Sequence, residues 1–120
     1  GSSAYFERGV VSYSNQAKFD LLDVDPDVLE REGAVSAPVA RQMARGVKDS
    51  GGTAYGVSTT GIAGPTGGTP EKPVGTVFIG VASERSVTAT RYEFEGSRLE
   101  RKERFARQAL ADLIAAVKNG

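Results

Sequence analysis

The chain has 120 residues, 39% of them hydrophobic and 25% charged, which is typical of one soluble globular domain with a modest core. Its fifteen basic and fifteen acidic residues cancel, and no apolar run approaches the roughly 18 residues of a spanning helix, so neither nucleic acid nor a membrane is the expected partner. The absence of histidine and cysteine excludes a Ser-His-Asp triad, a Cys-His pair and a typical zinc site, so that any hydrolytic site needs a carboxylate, a lysine or a carboxylate-held metal.

The first half of the chain predicts a strand followed by three helices. Residues 9–13 form a β-branched and aromatic run that predicts the strand. Asn15 caps a first short helix, and Asp25-Pro26 starts a second that runs through Leu29. Ser36 caps a third, which ends at two glycines. The apolar residues of this third helix, which recur at three- and four-residue spacings, are Val39, Ala40, Met43 and Val47.

The second half predicts three strands and a long final helix. Residues 54–60 form the first strand, and residues 74–82 and 87–94 form a hairpin across a polar turn. The last helix opens with a capping box formed by Ser97 and Glu100. Its apolar stripe consists of Phe105, Ala106, Ala109, Leu110, Leu113, Ile114 and Val117. Strands mixed with helices predict a single α/β domain of α+β-like type over residues 1–120, a layered sandwich of helices on a mixed sheet that contains an antiparallel hairpin.

One candidate for chemistry lies where the first strand ends and a helix begins. Lys18 falls in the first helical turn, where the helix dipole disfavours its charged form, so it can act as a general base. Tyr13 could relay or steady a proton beside it. The alternative, which the residues alone favour, is a solvated lysine beside a packed strand aromatic.

A second candidate is the Gly-rich loop of residues 60–73. Its glycines let backbone amides approach an anion closely, and Thr60, Thr66 and Thr69 add hydroxyl groups. It is not a Walker loop, because no Gly-Lys-Ser/Thr precedes a helix. Its length favours ligand binding over simple connection, but the residues alone leave both interpretations open.

A third candidate is a basic cluster at the start of the last helix. Such a cluster can bind a phosphate, but it is more often a solvated helix face balanced by neighbouring acidic residues, and the second interpretation is favoured here. The cluster consists of Arg98, Arg101, Lys102 and Arg104, beside Glu100 and Glu103.

Three segments together resemble one family. They are residues 1–18, GSSAYFERGVVSYSNQAK; residues 33–36, GAVS; and residues 60–65, TGIAGP, continued by residues 67–77, GGTPEKPVGTV. In this order they resemble the CinA C-terminal domain family, and the similarity spans essentially the whole chain. The resemblance implies an amidohydrolase that converts nicotinamide mononucleotide and water to nicotinic acid mononucleotide and ammonia.

The resemblance also implies a site without metal or cofactor. Its catalytic set is Ser3, Tyr13 and Lys18, with Ser3 as the nucleophile and Lys18 drawing off its proton directly or through Tyr13. Its substrate-binding set is Asn15, Thr60, Gly61, Ile62, Ala63 and Gly64. A Ser-Lys arrangement needs neither histidine nor metal, which agrees with the composition.

The resemblance finally implies that the chain is N-terminally truncated, since it begins about forty residues into the family pattern. A straight strand would hold Ser3 and Tyr13 about 33 Å apart. A common site therefore requires residues 2–6 to turn back, or Ser3 to serve the lysine of a neighbouring subunit. We expect a cytoplasmic homo-oligomer. The alternative functions are a non-catalytic nucleotide-binding module and a subunit-interaction domain of a competence- or damage-inducible protein.

Overall fold

The structure, a computed structural model, describes residues 3–6, 9–12, 25–52 and 54–119. The strands among these residues are β1 (Ser3–Phe6), β2 (Gly9–Ser12), β3 (Gly56–Gly61), β4 (Thr76–Ala82) and β5 (Val87–Glu93). The helices are α1 (Pro26–Glu32), α2 (Ala37–Gly51) and α3 (Arg98–Asn119). The predicted helix capped by Asn15 lies outside the described residues.

The ends of α1 and α2 follow the capping signals in the sequence. The carboxylate of Asp25 accepts the Asp27 N–H at 2.9 Å before the first turn of α1. The hydroxyl of Ser36 accepts the Val39 N–H at 3.4 Å and caps α2, as predicted. Gly52 then ends α2 in the left-handed conformation, with φ of 61°, which glycine adopts without a steric penalty.

Strand pairing gives a three-stranded sheet of order β3-β4-β5 and a separate β1-β2 pair. The β4-β5 hairpin confirms the predicted one, and the Ser83 N–H donates to the Ser86 carbonyl at 2.8 Å in its turn. The three ladders between described residues are all antiparallel. β2 contacts both β3 and α2, so the β1-β2 pair lies beside the β3 edge of the larger sheet. The predicted layered architecture of helices on a sheet is confirmed.

One face of the three-stranded sheet lies unusually close to α2. A Cβ at Gly56 would overlap the Ala44 carbonyl oxygen, and a Cβ at Gly80 would overlap that of Ala40. Ser58 follows Gly56 by two residues in β3 and pairs with Gly80 of β4. Its buried hydroxyl donates to the Ala40 carbonyl at 2.7 Å. Small residues at alternate strand positions therefore let the α2 backbone pack directly on the sheet.

The opposite face of the sheet carries α3 and the larger apolar core. Because side chains alternate along a strand, the residues next to Gly56 in β3 and next to Gly80 in β4 point to this side. The core cluster consists of Val57, Ala63, Val77, Ile79, Val81, Phe105, Ala109 and Leu113. The predicted apolar stripe of α3 is wider than its buried face, because Leu110, Ile114 and Val117 remain 43%, 46% and 42% exposed. No helix among the described residues has the length and apolar character needed to cross a membrane.

Polar contacts fix α3 at its start and its middle. Glu100 accepts the Ser97 N–H at 2.9 Å and Ser97 accepts the Glu100 N–H at 3.2 Å, which confirms the predicted capping box. The Ser97 backbone hydrogen bond lowers the pKa of Glu100 below 4.5. In the middle of α3, Asp112 accepts the Tyr92 hydroxyl at 2.8 Å. Burial, and then this hydrogen bond, raise the pKa of Tyr92 above 10.0.

Candidate functional site

The β1-β2 pair brings Ser3 close in space to Ser12, the residue that precedes Tyr13 in the sequence. Ser3 lies opposite Ser12 in the antiparallel ladder, and Tyr13 follows Ser12 in the chain. Opposed Cα atoms of an antiparallel pair lie about 4.5–5.5 Å apart, so the Cα atoms of Ser3 and Ser12 lie that close to each other. The predicted turn over residues 2–6 is wrong, because residues 3–6 are themselves a strand that pairs antiparallel with residues 9–12. Tyr13, Asn15 and Lys18 lie outside the described residues.

Thr60 joins two of the predicted segments at the end of β3. Its side chain is buried, with 3% exposure, and its hydroxyl donates to the Ala34 carbonyl at 2.6 Å. Ala34 lies between α1 and α2, in a segment that Gly33 starts with a φ of 83°. The Ser36 hydroxyl donates to the Gly33 carbonyl at 2.8 Å and closes this segment. The structure therefore places residues 33–36 against the start of the Gly-rich loop.

The Gly-rich loop leaves the sheet and returns through a narrow neck. The Ile62 N–H donates to the Thr76 carbonyl at 2.9 Å, and the Gly75 N–H donates to the Ile62 carbonyl at 2.7 Å. The Phe94 N–H in turn donates to the Gly75 carbonyl at 3.0 Å. Both ends of the loop are thus fixed to the strands, and the residues between them are free to form a site.

Two amides of this loop have no hydrogen-bond acceptor within the described part of the chain. They belong to Ala63 and Gly64, which are both buried residues. Buried backbone N–H groups are nearly always paired, and an unpaired pair next to Thr60 marks a place where an anionic oxygen can bind. The N–H groups of Thr66, Gly67 and Gly68, on the exposed part of the loop, likewise donate to no described residue.

Gly61 and Ile62, which the resemblance places in the substrate-binding set, have structural contacts. A Cβ at Gly61 would lie 2.8 Å from Phe105 Cε2 and 2.9 Å from Val77 Cγ2, so this position faces the α3 core. The backbone N–H and carbonyl of Ile62 are both used in the neck of the loop. Contact of these two residues with substrate stays a prediction.

Arg98 and Arg101 hold the loop from α3. Arg98 Nη1 donates to the Gly64 carbonyl at 2.8 Å, and Arg101 Nη1 donates to the Ala63 carbonyl at 3.2 Å. Arg98 is exposed and Arg101 is partly buried, so these residues are not only a solvated helix face, because their guanidinium groups bind carbonyls of loop residues more than thirty positions away. Their i, i+3 spacing, which puts both on one side of a helix, was the available signal.

Lys72 connects the far end of the loop to α1. Its Nζ donates to the Glu32 carbonyl at 3.2 Å, at the end of α1. The same ammonium lies 6.0 Å from the ring centroid of Phe78, and Arg91 lies 5.8 Å from that centroid. These cations cover Phe78 and attach the loop to the α2 side of the sheet.

A cavity of about 240 Å³ lies at the other end of the sheet, between the last turns of α2 and the β4-β5 turn. Its charged lining mixes three cations with two carboxylates, contributed by Arg45, Lys48, Arg85, Asp49 and Glu84. The β3-β4 register separates it from Thr60, because Gly56 pairs with Ala82 at that end and Thr60 with Phe78 at the other. Within the described residues, no group of three or more carboxylates is arranged to hold a metal ion.

Comparison with known proteins decides the family. The sequence pattern of the CinA C-terminal domain matches residues 1–117. The chain belongs to this family. A CinA-like protein of Chlorobaculum tepidum is 53% identical over 98% of this chain and 29% of its own length. A CinA-like protein of Cyanothece sp. is 62% identical over 72% of this chain and 21% of its own length. The chain thus spans less than a third of the curated relatives it matches.

Solved structures share the fold. A competence/damage-inducible protein from Agrobacterium tumefaciens superposes with a TM-score of 0.79 at 38% identity, over 85% of this chain and 63% of that one. A CinA superfamily protein from Klebsiella pneumoniae gives a TM-score of 0.81 at 27% identity, over 89% of this chain and 67% of that one. The helices and the antiparallel three-stranded sheet described above are therefore those of the CinA superfamily.

Proposed function

We propose that this CinA C-terminal domain hydrolyses the carboxamide of nicotinamide mononucleotide, using Ser3, Tyr13 and Lys18. Family membership supports the proposal, because residues 1–18 resemble the family segment that implies this catalytic set. The observation that carries it is the β1-β2 register, which sets Ser3 opposite the residue that precedes Tyr13. The composition is consistent with it, because a Ser-Lys site needs no histidine.

The proposed reaction has two steps. Ser3 Oγ attacks the carboxamide carbon while Lys18 takes its proton, directly or through Tyr13. The carbon–nitrogen bond breaks and that proton goes to the departing ammonia, which leaves a nicotinoyl ester on Ser3. Water then hydrolyses the ester, with Lys18 again acting as the base, to give nicotinic acid mononucleotide and the free serine.

The loop supplies the binding groups in this proposal. The Ala63 and Gly64 amides, beside the Thr60 hydroxyl, suit either the oxyanion that forms on the carboxamide or the phosphate of the nucleotide. Preorganised backbone donors of this kind stabilise developing negative charge without reorganising in the reaction. Asn15 completes the proposed substrate-binding set.

Measured release of ammonia and of nicotinic acid mononucleotide tests the function. The assay is run on the 120-residue chain and on the longest natural form of the protein. We expect Ser3→Ala and Lys18→Ala to lower kcat by about 10³-fold or more, as removal of a nucleophile or its base does. Ser86→Ala and Lys118→Ala, in the β4-β5 turn and near the end of α3, are the matched controls. Full activity in Ser3→Ala or in Lys18→Ala would exclude the mechanism.

A second candidate is a nucleotide-binding module without turnover. The loop favours it, because its Ala63 and Gly64 amides can bind an anion whether or not Ser3 reacts. Calorimetric titration with nicotinamide mononucleotide distinguishes the two. Binding that is lost in Thr60→Val but is accompanied by no ammonia release supports the second candidate over the first.

A further inference from the structure

Arg101 binds two separate carbonyl groups with one guanidinium. Its Nη1 donates to the Ala63 carbonyl at 3.2 Å and its Nε donates to the Phe94 carbonyl at 3.2 Å. Phe94 follows β5 and is itself bonded to Gly75 in the neck of the loop. Because the guanidinium is planar and rigid, it fixes the Ala63 carbonyl relative to the end of the sheet.

The direction of that carbonyl sets the direction of the Gly64 N–H. The two groups belong to the same peptide unit, which is trans. In a planar trans peptide the carbonyl and the N–H point in opposite directions. Since Arg101 draws the Ala63 carbonyl toward α3, the Gly64 N–H points away from α3, where it has no acceptor among the described residues.

Gly64 itself does little to hold this orientation. It adopts a φ of 84°, and a Cβ there would lie 2.5 Å from Val74 Cγ1 and 3.0 Å from Arg101 Nη1, so only glycine fits. Glycine also lets its neighbouring peptide rotate more freely than any other residue. A rotated Ala63–Gly64 peptide would present a carbonyl oxygen where the N–H now stands and would repel an anion.

We propose that Arg101 is a positioning residue that holds the Ala63–Gly64 peptide with the Gly64 N–H presented to an anionic oxygen of the substrate. The proposal rests on the proposed amidase function and deepens it, because it names the side chain that preorganises the loop. Arg98 supports the same segment by binding the next carbonyl, that of Gly64. Arg101 acts through the peptide and does not itself contact the substrate.

Kinetics of three variants test the proposal. Arg101→Ala should lower kcat/KM for nicotinamide mononucleotide by about 10²-fold, the loss seen when one preorganised donor is removed. Arg101→Lys should recover only part of it, because an ammonium does not reproduce the planar fork that joins two carbonyls. Lys102→Ala, which removes one exposed cation from the same helix turn, should stay within about two-fold of the wild type.

The kinetic pattern identifies the oxygen that Gly64 binds. If it is the phosphate, Arg101→Ala raises KM for the mononucleotide and leaves kcat/KM for nicotinamide riboside, which lacks the phosphate, unchanged. If it is the oxyanion, Arg101→Ala lowers kcat for both compounds. The proposal is overturned if Arg101→Ala is as active as Lys102→Ala, or if its loss equals the unfolded fraction measured by circular dichroism.

A readout without turnover separates this proposal from the amidase function. In the wild type, inorganic phosphate or the mononucleotide should shift the Gly64 amide resonance in a ¹⁵N-correlated spectrum. In Arg101→Ala that shift should be lost, while in Lys102→Ala it should remain. A wild type that shows the shift but releases no ammonia would refute the amidase function and keep the role of Arg101. An equal shift in Arg101→Ala would refute the role of Arg101.

Discussion

Replacing Gly61 with alanine tests whether this position serves the core rather than a ligand. The new Cβ would lie 2.8 Å from Phe105 Cε2, 2.9 Å from Val77 Cγ2 and 3.0 Å from the carbonyl oxygen of Thr76, which belongs to the backbone of β4 and cannot retreat. Overpacking of this kind costs about 1–3 kcal/mol. Alanine also restricts the unfolded chain, which returns about 0.4–1 kcal/mol. We therefore expect the free energy of unfolding to fall by about 1–2 kcal/mol.

Urea denaturation followed by circular dichroism measures this effect. With a slope of about 2 kcal/mol per molar urea, the unfolding midpoint of Gly61→Ala should fall by about 0.5–1 M. Phe105→Leu removes the ring atom nearest the new methyl group, so the double variant should show a favourable coupling of about 1 kcal/mol. Strictly additive effects, or a Gly61→Ala midpoint equal to the wild type, would refute the packing argument. A variant that loses nucleotide binding at unchanged stability would instead assign Gly61 to the ligand.

Three further predictions follow from buried or capping contacts. Ser58→Ala should cost about 1 kcal/mol through its lost hydrogen bond, and Gly80→Ala should cost more because its Cβ meets the Ala40 carbonyl, a difference that thermal unfolding can measure. The pKa of Tyr92 is raised on folding, so its stabilising contribution is complete below pH 10.0 and is lost as the pH rises through the folded-state pKa. The urea midpoint should therefore fall with pH between pH 8 and 11, and Tyr92→Phe should remove this pH dependence. The pKa of Glu100 is lowered on folding, so its stabilising contribution is complete above pH 4.5 and is lost as the pH falls through the folded-state pKa. An acidic pH dependence of the urea midpoint that is equal in Glu100→Gln and in the wild type would contradict this.

Local signals in the sequence predict the ends of the described elements well. Ser36, the Ser97–Glu100 box and Gly52 each act within one helical turn, so their side chains or dihedral angles determine the boundary without help from the rest of the chain. The β4-β5 hairpin is local for the same reason. Thr60 could be singled out because it starts an exceptionally long, Gly-rich connection between two strands.

Contacts between distant segments could not be predicted in this way. Arg101 reaches the carbonyl of a residue 38 positions away, and its i, i+3 spacing from Arg98 indicates a shared side of the helix but not what that side contacts. The roles of Gly56 and Gly80 likewise depend on where α2 crosses the sheet. The β1-β2 pair was missed because residues 3–6 have no alternating pattern of apolar and polar side chains, so only their partner strand identifies them.

The two bonds that tie residues 32–36 to the loop have a consequence for local unfolding. The Lys72 ammonium binds the Glu32 carbonyl and the Thr60 hydroxyl binds the Ala34 carbonyl, so residues of the Gly-rich loop and its start hold the short connection between α1 and α2 at its beginning and in its middle. Segments joined in this way open and close as one cooperative unit in native-state hydrogen exchange. A ligand that binds only the Gly-rich loop will therefore also slow amide hydrogen exchange in residues 33–36. The amides of the loop and of residues 33–36 will gain or lose protection together.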